Sequence, residues 1–332
     1  MQKDPVVSET LRAESLDLPF KVRIENRSLE PATGLPAWQR SDSGERYSSR
    51  LSLFERHRKH LLKVECQGSG TFEISDDCIA VDWLGGTNYP HYLQTLGLSV
   101  FLEKHGVPCV HGNTLDVGNN NAITLIAPSR GGKSTLSAAL VQLGCTLLSD
   151  DMTAVHFPVD AEKDSLNSDE SHGGAFPRVY PSNASLRLWP DAAAEFAGCV
   201  SGMPRVHQQF AKRTVRVCAV TPSTHQHVAV HNQARDQRPR ALKALFFLDR
   251  IDEPTTVHVN RLSDRDAFIQ LVKQGQLADA FTLLSPATTR AKTLANILSQ
   301  VPAYRVRFTS GFQYLEKVCN TILDRINDPI AA

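Results

Sequence analysis

The sequence predicts an α/β fold preceded by a β-rich N-terminal region. Three features indicate this class: short strand-like runs before residue 85, alternating strand and helix patterns over residues 107–157, and a glycine-rich turn joining one strand to the next helix. With 332 residues, the chain is long enough for one large domain or two ordinary ones. Hydrophobic residues make up 41% and charged residues 21%, a composition typical of globular rather than disordered or fibrous proteins.

The N-terminal region contains the segments FKVRIE at 20–25, LLKVECQ at 61–67 and CIAVDWL at 78–84. Their β-favouring residues, separated by Gly, Ser and Asp, predict strands. Residues 27–50 interrupt this pattern with Ser, Pro, Gly and charged residues, and we interpret them as a flexible insertion. The sequence therefore suggests an N-terminal segment, 1–60, followed by a second unit, 61–328.

The second unit opens with apolar residues at helical spacing over 91–105, which predict a helix that ends before Gly106. The pattern then runs strand, turn, strand, turn, helix, strand as far as residue 157. Residues 158–175 are polar and acidic, which predicts a mobile loop. Later patterns predict strands at 241–249 and 304–308 and helices at 263–274, 287–300 and 311–326.

Charge and cysteine content limit the classes of partner and location. The chain has 36 Lys and Arg residues and 35 Asp and Glu residues, so it has no overall positive field to attract nucleic acid or anionic lipid. Its seven cysteines include no C-x-x-C pair, which favours reduced thiols over a disulfide framework or a zinc site. The N-terminus does not resemble a signal peptide, and no apolar run has the length of a membrane span. We expect no nucleic-acid partner, no membrane association and a cytoplasmic location.

The segment Ala127-Pro-Ser-Arg-Gly-Gly-Lys-Ser134 nearly fits the P-loop (Walker A) pattern. In that pattern, glycines let backbone N–H groups surround phosphates, a lysine reaches the outer phosphates, and a serine binds Mg²⁺. Ala127 replaces the opening glycine, and a glycine-rich turn with a surface lysine remains the structural alternative. The predicted strand before the loop and helix after it favour phosphate binding. The candidate nucleotide-binding residues are Ser129, Arg130, Gly131, Gly132, Lys133, Ser134 and Thr135.

Two adjacent carboxylates, Asp150 and Asp151, follow the apolar strand that begins at Cys145. We expect them at the carboxyl end of a parallel strand, where α/β proteins bind ligands. One can hold a metal ion between phosphates, and the other can accept a proton from an attacking hydroxyl. The alternative is an Asp pair that starts a turn and bonds to nearby N–H groups.

The order His111-Gly112, APSRGGKST and LLSDDMTAV, followed by Tyr180-Pro181 and LRLWPD at 186–191, resembles the HPr kinase/phosphorylase family. The resemblance implies a P-loop kinase core of the HPr kinase (phosphoenolpyruvate carboxykinase-like) type, with ATP and Mg²⁺ as cofactors. It implies that Lys133 and Ser134 bind the nucleotide and metal, with Asp150 as the catalytic base and Asp151 on the metal side with Ser134. It also places His111 near the phosphates.

The chain departs from that family at Arg130 and Thr135, and it has no segment like the HPr-binding signature loop. The resemblance therefore suggests a kinase that phosphorylates a serine of another peptide or protein. A nucleotide-binding regulatory module without turnover and a kinase of a small metabolite remain open alternatives. A homo-oligomer is also left open. Arg187, Lys212 and Arg213 are either solvated strand residues or contacts for an anionic substrate.

Overall fold

The computed structural model describes residues 22–44, 47–66, 68–85, 89–157, 176–182, 185–198, 200–207, 210–216, 238–252, 257–275 and 277–327. These residues form a mixed α/β fold with a six-stranded, a nine-stranded and a three-stranded sheet, which confirms the predicted class. The predicted mobile loop at 158–175 lies outside the described residues. Within the described part of the chain, no helix has both the length and the apolar character needed to cross a membrane.

The six-stranded sheet is formed by the N-terminal strands. These are β1 Arg23–Asn26, β2 Trp38–Gly44, β3 Tyr47–Arg56, β4 Lys59–Glu65, β5 Ser69–Ile74 and β6 Cys78–Gly85. The strand order is β1-β6-β5-β4-β3-β2, with β1 parallel to β6 and the other neighbours antiparallel. Leu53, Leu62 and Phe72 are fully buried in a core on one face of this sheet.

The structure corrects the prediction of a flexible insertion at 27–50. Strand β2 lies within that range and pairs with β3 along its whole length, from Trp38 opposite Leu53 to Gly44 opposite Tyr47. Residues 39–43 are exposed, so the strand is held by backbone pairing and shows no hydrophobic alternation that would reveal it. The proposed boundary at residue 60 is also wrong, because it cuts through β4 in the middle of one sheet.

The remaining described strands and the helices follow in chain order. The strands are β7 Cys109–Val110, β8 Gly112–Gly118, β9 Asn121–Ile126, β10 Thr146–Ser149, β11 Thr153–His156, β12 Arg178–Val179, β13 Ser185–Leu188, β14 Arg205–His207, β15 Phe210–Arg216, β16 Arg240–Ile251, β17 Val257–Arg261 and β18 Ala303–Thr309. The helices are α1 Tyr89–Tyr92, α2 Leu98–Lys104, α3 Lys133–Gln142, α4 Pro190–Ala197, α5 Asp264–Lys273, α6 Phe281–Leu284, α7 Ala287–Gln300 and α8 Leu315–Asn327, with a π-helical turn at Leu93–Gly97 between α1 and α2. The predicted strands near 241–249 and 304–308 and the three predicted C-terminal helices are confirmed as β16, β18, α5, α7 and α8.

Strands β9, β16 and β18 are parallel neighbours at the centre of the nine-stranded sheet. Strand β10 is not part of this parallel set: it lies at one edge and pairs antiparallel with β8, contrary to our expectation. Because β8 is itself antiparallel to β9, two reversals give β10 the same direction as β9. The carboxyl ends of β9 and β10 therefore meet at one edge of the sheet, and this brings residues 127–133 and 150–151 together.

The three-stranded sheet, ordered β13-β15-β14, packs beside α3. Leu186 and Leu188 of β13 are buried in the same core as Leu136 of α3 and Phe246 of β16. Side chains alternate between the two faces of a strand, so Arg187 projects from the opposite face. That face carries polar residues of the candidate site.

A buried ion pair joins α2 to α7 away from that site. Glu103 and Arg290 are almost inaccessible to solvent, with 3.2 Å between Glu103 Oε2 and Arg290 Nε. The backbone N–H of Cys109 also donates to Glu103 Oε1 at 2.7 Å. Burial nevertheless raises the pKa of the Glu103 carboxyl to about 7, because desolvation of the carboxylate outweighs the stabilising effect of Arg290 and Cys109.

We expect Glu103→Gln to change how stability depends on pH. In the folded protein, the Glu103 carboxyl keeps its proton up to about pH 7, whereas in the unfolded chain it loses the proton at a lower pH. Protonation of Glu103 therefore stabilises the folded state under acidic conditions. Its contribution is lost as pH rises through the folded-state pKa. Between about pH 6 and pH 8, the parent should lose about 1 kcal/mol of unfolding free energy relative to Glu103→Gln. Denaturant unfolding of both proteins measures this difference, and parallel pH profiles would contradict it.

Candidate functional site

The loop between β9 and α3 comprises residues 127–132 and turns sharply into the helix. Gly132 has φ of +90° and Arg130 has φ of +69°, both in the left-handed region. Glycine adopts this conformation freely, whereas a non-glycine residue there is uncommon and strained. The Gly131 N–H donates to the Pro128 carbonyl at 3.0 Å and closes the turn. The first N–H groups of α3 have no partners within the helix and can bind an anion.

Gly131 accounts for the alanine at the first position of the loop. A Cβ atom at residue 131 would lie 2.4 Å from the Ala127 Cβ and 3.1 Å from the Pro128 carbonyl oxygen. The Ala127 methyl group therefore occupies space that any side chain at residue 131 would need. The departure from the P-loop pattern at Ala127 is compatible with this loop because residue 131 is glycine.

Lys133 is buried at the start of α3. Its ammonium group donates to the carbonyl oxygens of Ala127 at 2.6 Å and Pro128 at 3.4 Å, so the side chain lies along the loop. Burial lowers the pKa of Lys133 to about 8, with a smaller opposing effect of Asp150. Desolvation thus disfavours the ammonium, and a bound anion would stabilise it.

Asp150 is the more deeply buried of the two aspartates, with 2% of its side chain exposed. Ser134 Oγ donates to Asp150 Oδ1 at 3.4 Å, and the Arg187 backbone N–H donates to Oδ2 at 3.1 Å. The Arg187 Nε atom lies 3.6 Å from the same Oδ2. Asp150 therefore faces the first turn of α3 on one side and β13 on the other.

Asp151 has φ of +66°, which turns the chain after β10. Its backbone N–H donates to Asn113 Oδ1 at 3.1 Å, and Asn113 Nδ2 donates to Ser137 Oγ at 3.1 Å. These bonds attach the turn to β8 and α3. The side chain is 22% exposed and forms an ion pair with the Arg187 guanidinium.

His111 lies 3.7 Å from Asp151, measured from Nε2 to Oδ1. Its position is set by its own backbone N–H, which donates to the Gln274 carbonyl at 2.7 Å. Burial lowers the pKa of His111 to about 3, and the nearby cations Lys133 and Arg187 lower it further. The imidazole is therefore neutral beside Asp151 at ordinary pH.

Arg187 lies beside the two aspartates with 14% of its side chain exposed, so it is not a solvated strand residue. Its guanidinium contacts both Asp150 and Asp151 and also lies against the His91 ring, 3.2 Å from Nδ1. Burial lowers the pKa of His91 well below its usual value, so the ring is neutral and can accept a hydrogen bond from the guanidinium. Since His91 lies in α1, this contact connects the segment after the N-terminal sheet to the acidic pair.

Trp189 links β15 to the loop. Lys212 Nζ lies 5.4 Å and the Arg130 guanidinium carbon 5.9 Å from the centre of a Trp189 ring, both within the range of cation–π attraction. Arg250 of β16 also donates to the Arg130 carbonyl at 3.2 Å. The polar face of the small sheet is thus adjacent to the loop.

The structure brings together five predicted residues: Lys133, Ser134, Asp150, Asp151 and His111. Among the other loop residues, Ser129 and Arg130 are exposed, while Gly131, Gly132 and Thr135 are partly exposed. Sequence reasoning missed His91, Asn113 and Arg250, and it left Arg187 and Lys212 undecided. The alternation in SLRLWP was the one local signal for Arg187, whereas the missed residues reach the site only through tertiary contacts.

The oxygens of Ser134 and Asp150 fit the requirements of Mg²⁺. Two ligands at 2.0–2.1 Å from the ion and at right angles are about 3 Å apart, which is close to the observed 3.4 Å. Among the described residues, no cluster of three or more His, Cys, Asp or Glu side chains forms a metal site by itself.

Comparisons with known proteins provide little further information. No known protein-family model matches the chain, and no curated protein matches it. Among solved structures, the chain is similar to the Hpr(Ser) kinase/phosphatase from Coxiella burnetii, with 11% identity and a TM-score of 0.29 over 66% of this chain and 99% of that chain.

Proposed function

We propose that this chain is a kinase that binds Mg²⁺-ATP in the 127–134 loop and transfers the γ-phosphoryl group to a serine hydroxyl of a peptide or protein. The observation that carries the proposal is the position of Asp150 beside Ser134, at the helix start where Lys133 lies. A metal-bound polyphosphate needs N–H donors, a cation and oxygen ligands for the metal. The start of α3 offers its first N–H groups, the Lys133 ammonium and the Ser134 hydroxyl, next to the buried Asp150 carboxylate.

In this proposal, the N–H groups of the loop and of the first turn of α3 bind the phosphates. The Lys133 ammonium exchanges its bonds to the Ala127 and Pro128 carbonyls for bonds to phosphate oxygens. Ser134 and Asp150 are the residues that would hold Mg²⁺. When bound, the ion neutralises phosphate charge and orients the terminal group for in-line attack.

The geometry favours a reversal of the roles that the resemblance implied for the two aspartates. Asp150 is almost fully buried and adjacent to Ser134, which suits a metal ligand. Asp151 is more accessible and lies beside neutral His111, so an acceptor hydroxyl can approach it. We assign Asp151 as the base: its carboxylate takes the hydroxyl proton while the acceptor oxygen bonds to the γ-phosphorus and the bond to ADP breaks.

One observation favours a second candidate, a nucleotide-binding module that controls a partner without turnover. Arg187 lies next to Oδ2 of both carboxylates, where its positive charge opposes the binding of a metal ion or a proton. Turnover requires that the Arg187 side chain shift towards the phosphates when Mg²⁺-ATP binds. A module would retain nucleotide affinity but keep the arginine in place.

Incubation with γ-labelled ATP, Mg²⁺ and lysate from the source cells tests the proposal. We expect label on a serine of a peptide or protein, identified by mass spectrometry, and loss of labelling when EDTA removes Mg²⁺. Label on a small metabolite would contradict the peptide acceptor. Nucleotide binding without labelling of any species would favour the regulatory module, and failure to bind nucleotide would exclude both.

A further inference from the structure

The three-stranded sheet presents two cations on the face that borders the candidate site. In the antiparallel pairing of β13 with β15, Arg187 lies opposite Thr214 and Leu188 opposite Arg213. Lys212 is two residues from Thr214 and therefore shares the face of Arg187, while Leu186 and Val215 are buried on the other face. The sheet thus directs Lys212 and Arg187 towards the same space.

The two cations differ in their partners. Arg187 is paired with both aspartates, whereas Lys212 forms no ion pair with a carboxylate among the described residues and lies against the Trp189 ring. Burial lowers the pKa of Lys212 to about 8, and repulsion from Arg187 contributes to this shift. Lys212 is therefore a partly buried cation without a carboxylate partner among the described residues, and it lies beside the loop residue Arg130, which contacts the same Trp189.

The contacts of Lys212 place it beside both parts of the site. It shares the Trp189 ring with Arg130 of the loop, and it lies on the same sheet face as Arg187, which pairs with the two aspartates. The loop and α3 lie on one side of Asp150, and the small sheet lies on the other. Lys133 and Lys212 therefore belong to the two elements that border the same buried carboxylate.

We propose that Lys212 is a further catalytic residue that binds the terminal phosphoryl group of ATP, opposite the loop. This inference rests on the proposed nucleotide site and adds a specific role for the small sheet. The phosphates that ADP shares with ATP are bound by the loop, so Lys212 contributes only when the third phosphate is present. The residue therefore distinguishes ATP from ADP and stabilises the charge on the group in transfer.

Titration of Mg²⁺-ADP and of Mg²⁺ with a non-hydrolysable ATP analogue tests this role without an acceptor. We expect Lys212→Met to weaken binding of the analogue by about 10-fold or more, since a charge-assisted contact is lost, and to leave ADP affinity within about twofold. Lys212→Arg retains the charge and should recover most of the loss. Lys243→Met is the matched control, because Lys243 is an exposed lysine that contacts Phe176 in the same way; it should change neither affinity.

Unchanged affinity of Lys212→Met for the analogue would overturn the assignment, and so would an equal loss for both nucleotides. In both cases the proposed nucleotide site would stand, because the parent still binds. A parent protein that binds neither ligand would overturn the proposed function and this inference together. If Lys212→Met does not fold, Lys212→Gln provides the same comparison, with unchanged ADP affinity as the sign of an intact site.

Discussion

Asp151→Asn is expected to slow phosphoryl transfer by a factor of about 10² to 10⁴, the usual contribution of a positioned general base. The asparagine has nearly the same shape, and it leaves the backbone N–H free to donate to Asn113 as before. It cannot take the proton of the acceptor hydroxyl. Affinity for Mg²⁺-nucleotide should change little, because Ser134 and Asp150 remain. The rate of label transfer from γ-labelled ATP and a nucleotide titration measure the two effects separately.

Asp150→Asn should change the Mg²⁺ dependence of binding as well as the rate of turnover, because the geometry favours Asp150 as the metal ligand. Removing the charge beside Ser134 weakens the site for Mg²⁺, so turnover should fall while the Mg²⁺ concentration needed for half-maximal binding rises. Asp116→Asn is a suitable control, since Asp116 is a partly buried carboxylate paired with Arg240 elsewhere on β8. If Asp151→Asn instead raised the Mg²⁺ requirement and Asp150→Asn did not, the roles implied by the family resemblance would be restored.

The candidate site was largely predictable where its residues are close in sequence. The loop residues and Lys133 form one strand-turn-helix unit, and its glycine content and flanking patterns are local properties of the chain. Asp150 and Asp151 follow an apolar strand, so their position at a strand end was also predictable. The sequence did not predict why they lie beside the loop. Two antiparallel pairings, β10 with β8 and β8 with β9, give β10 the same direction as β9.

Residues that reach the site through tertiary contacts have much weaker sequence patterns than the loop and the two aspartates. His91 lies in a short helix after the N-terminal sheet, and nothing in its neighbourhood indicates a contact with Arg187. Lys212 and Trp189 meet only because β13 and β15 pair, across a connection that the sequence does not specify. The β2–β3 hairpin was missed for a related reason: its pairing depends on backbone hydrogen bonds, whereas sequence patterns report side-chain burial.

Lys133→Met is expected to weaken Mg²⁺-nucleotide binding by about 100-fold, because it removes the buried ammonium at the start of α3 that would bind the phosphates. Methionine retains most of the side-chain volume, which limits loss of packing at a position that is 6% exposed. Lys317→Met, an exposed lysine on α8, provides the control for a general loss of positive charge. Titration with a fluorescent ADP analogue measures all three proteins.

Loss of Lys133 tests the whole site, because the loop curves around its ammonium group. The same carbonyls that hold the ammonium must release it to phosphate oxygens, and a bound polyanion compensates for the loss of those two contacts around a buried cation. If Lys133→Met bound nucleotide as tightly as the parent, the loop would be a structural turn closed by a lysine. Asp150 and Ser134 would then have no phosphate to face, and neither the proposed kinase nor the role of Lys212 could be maintained.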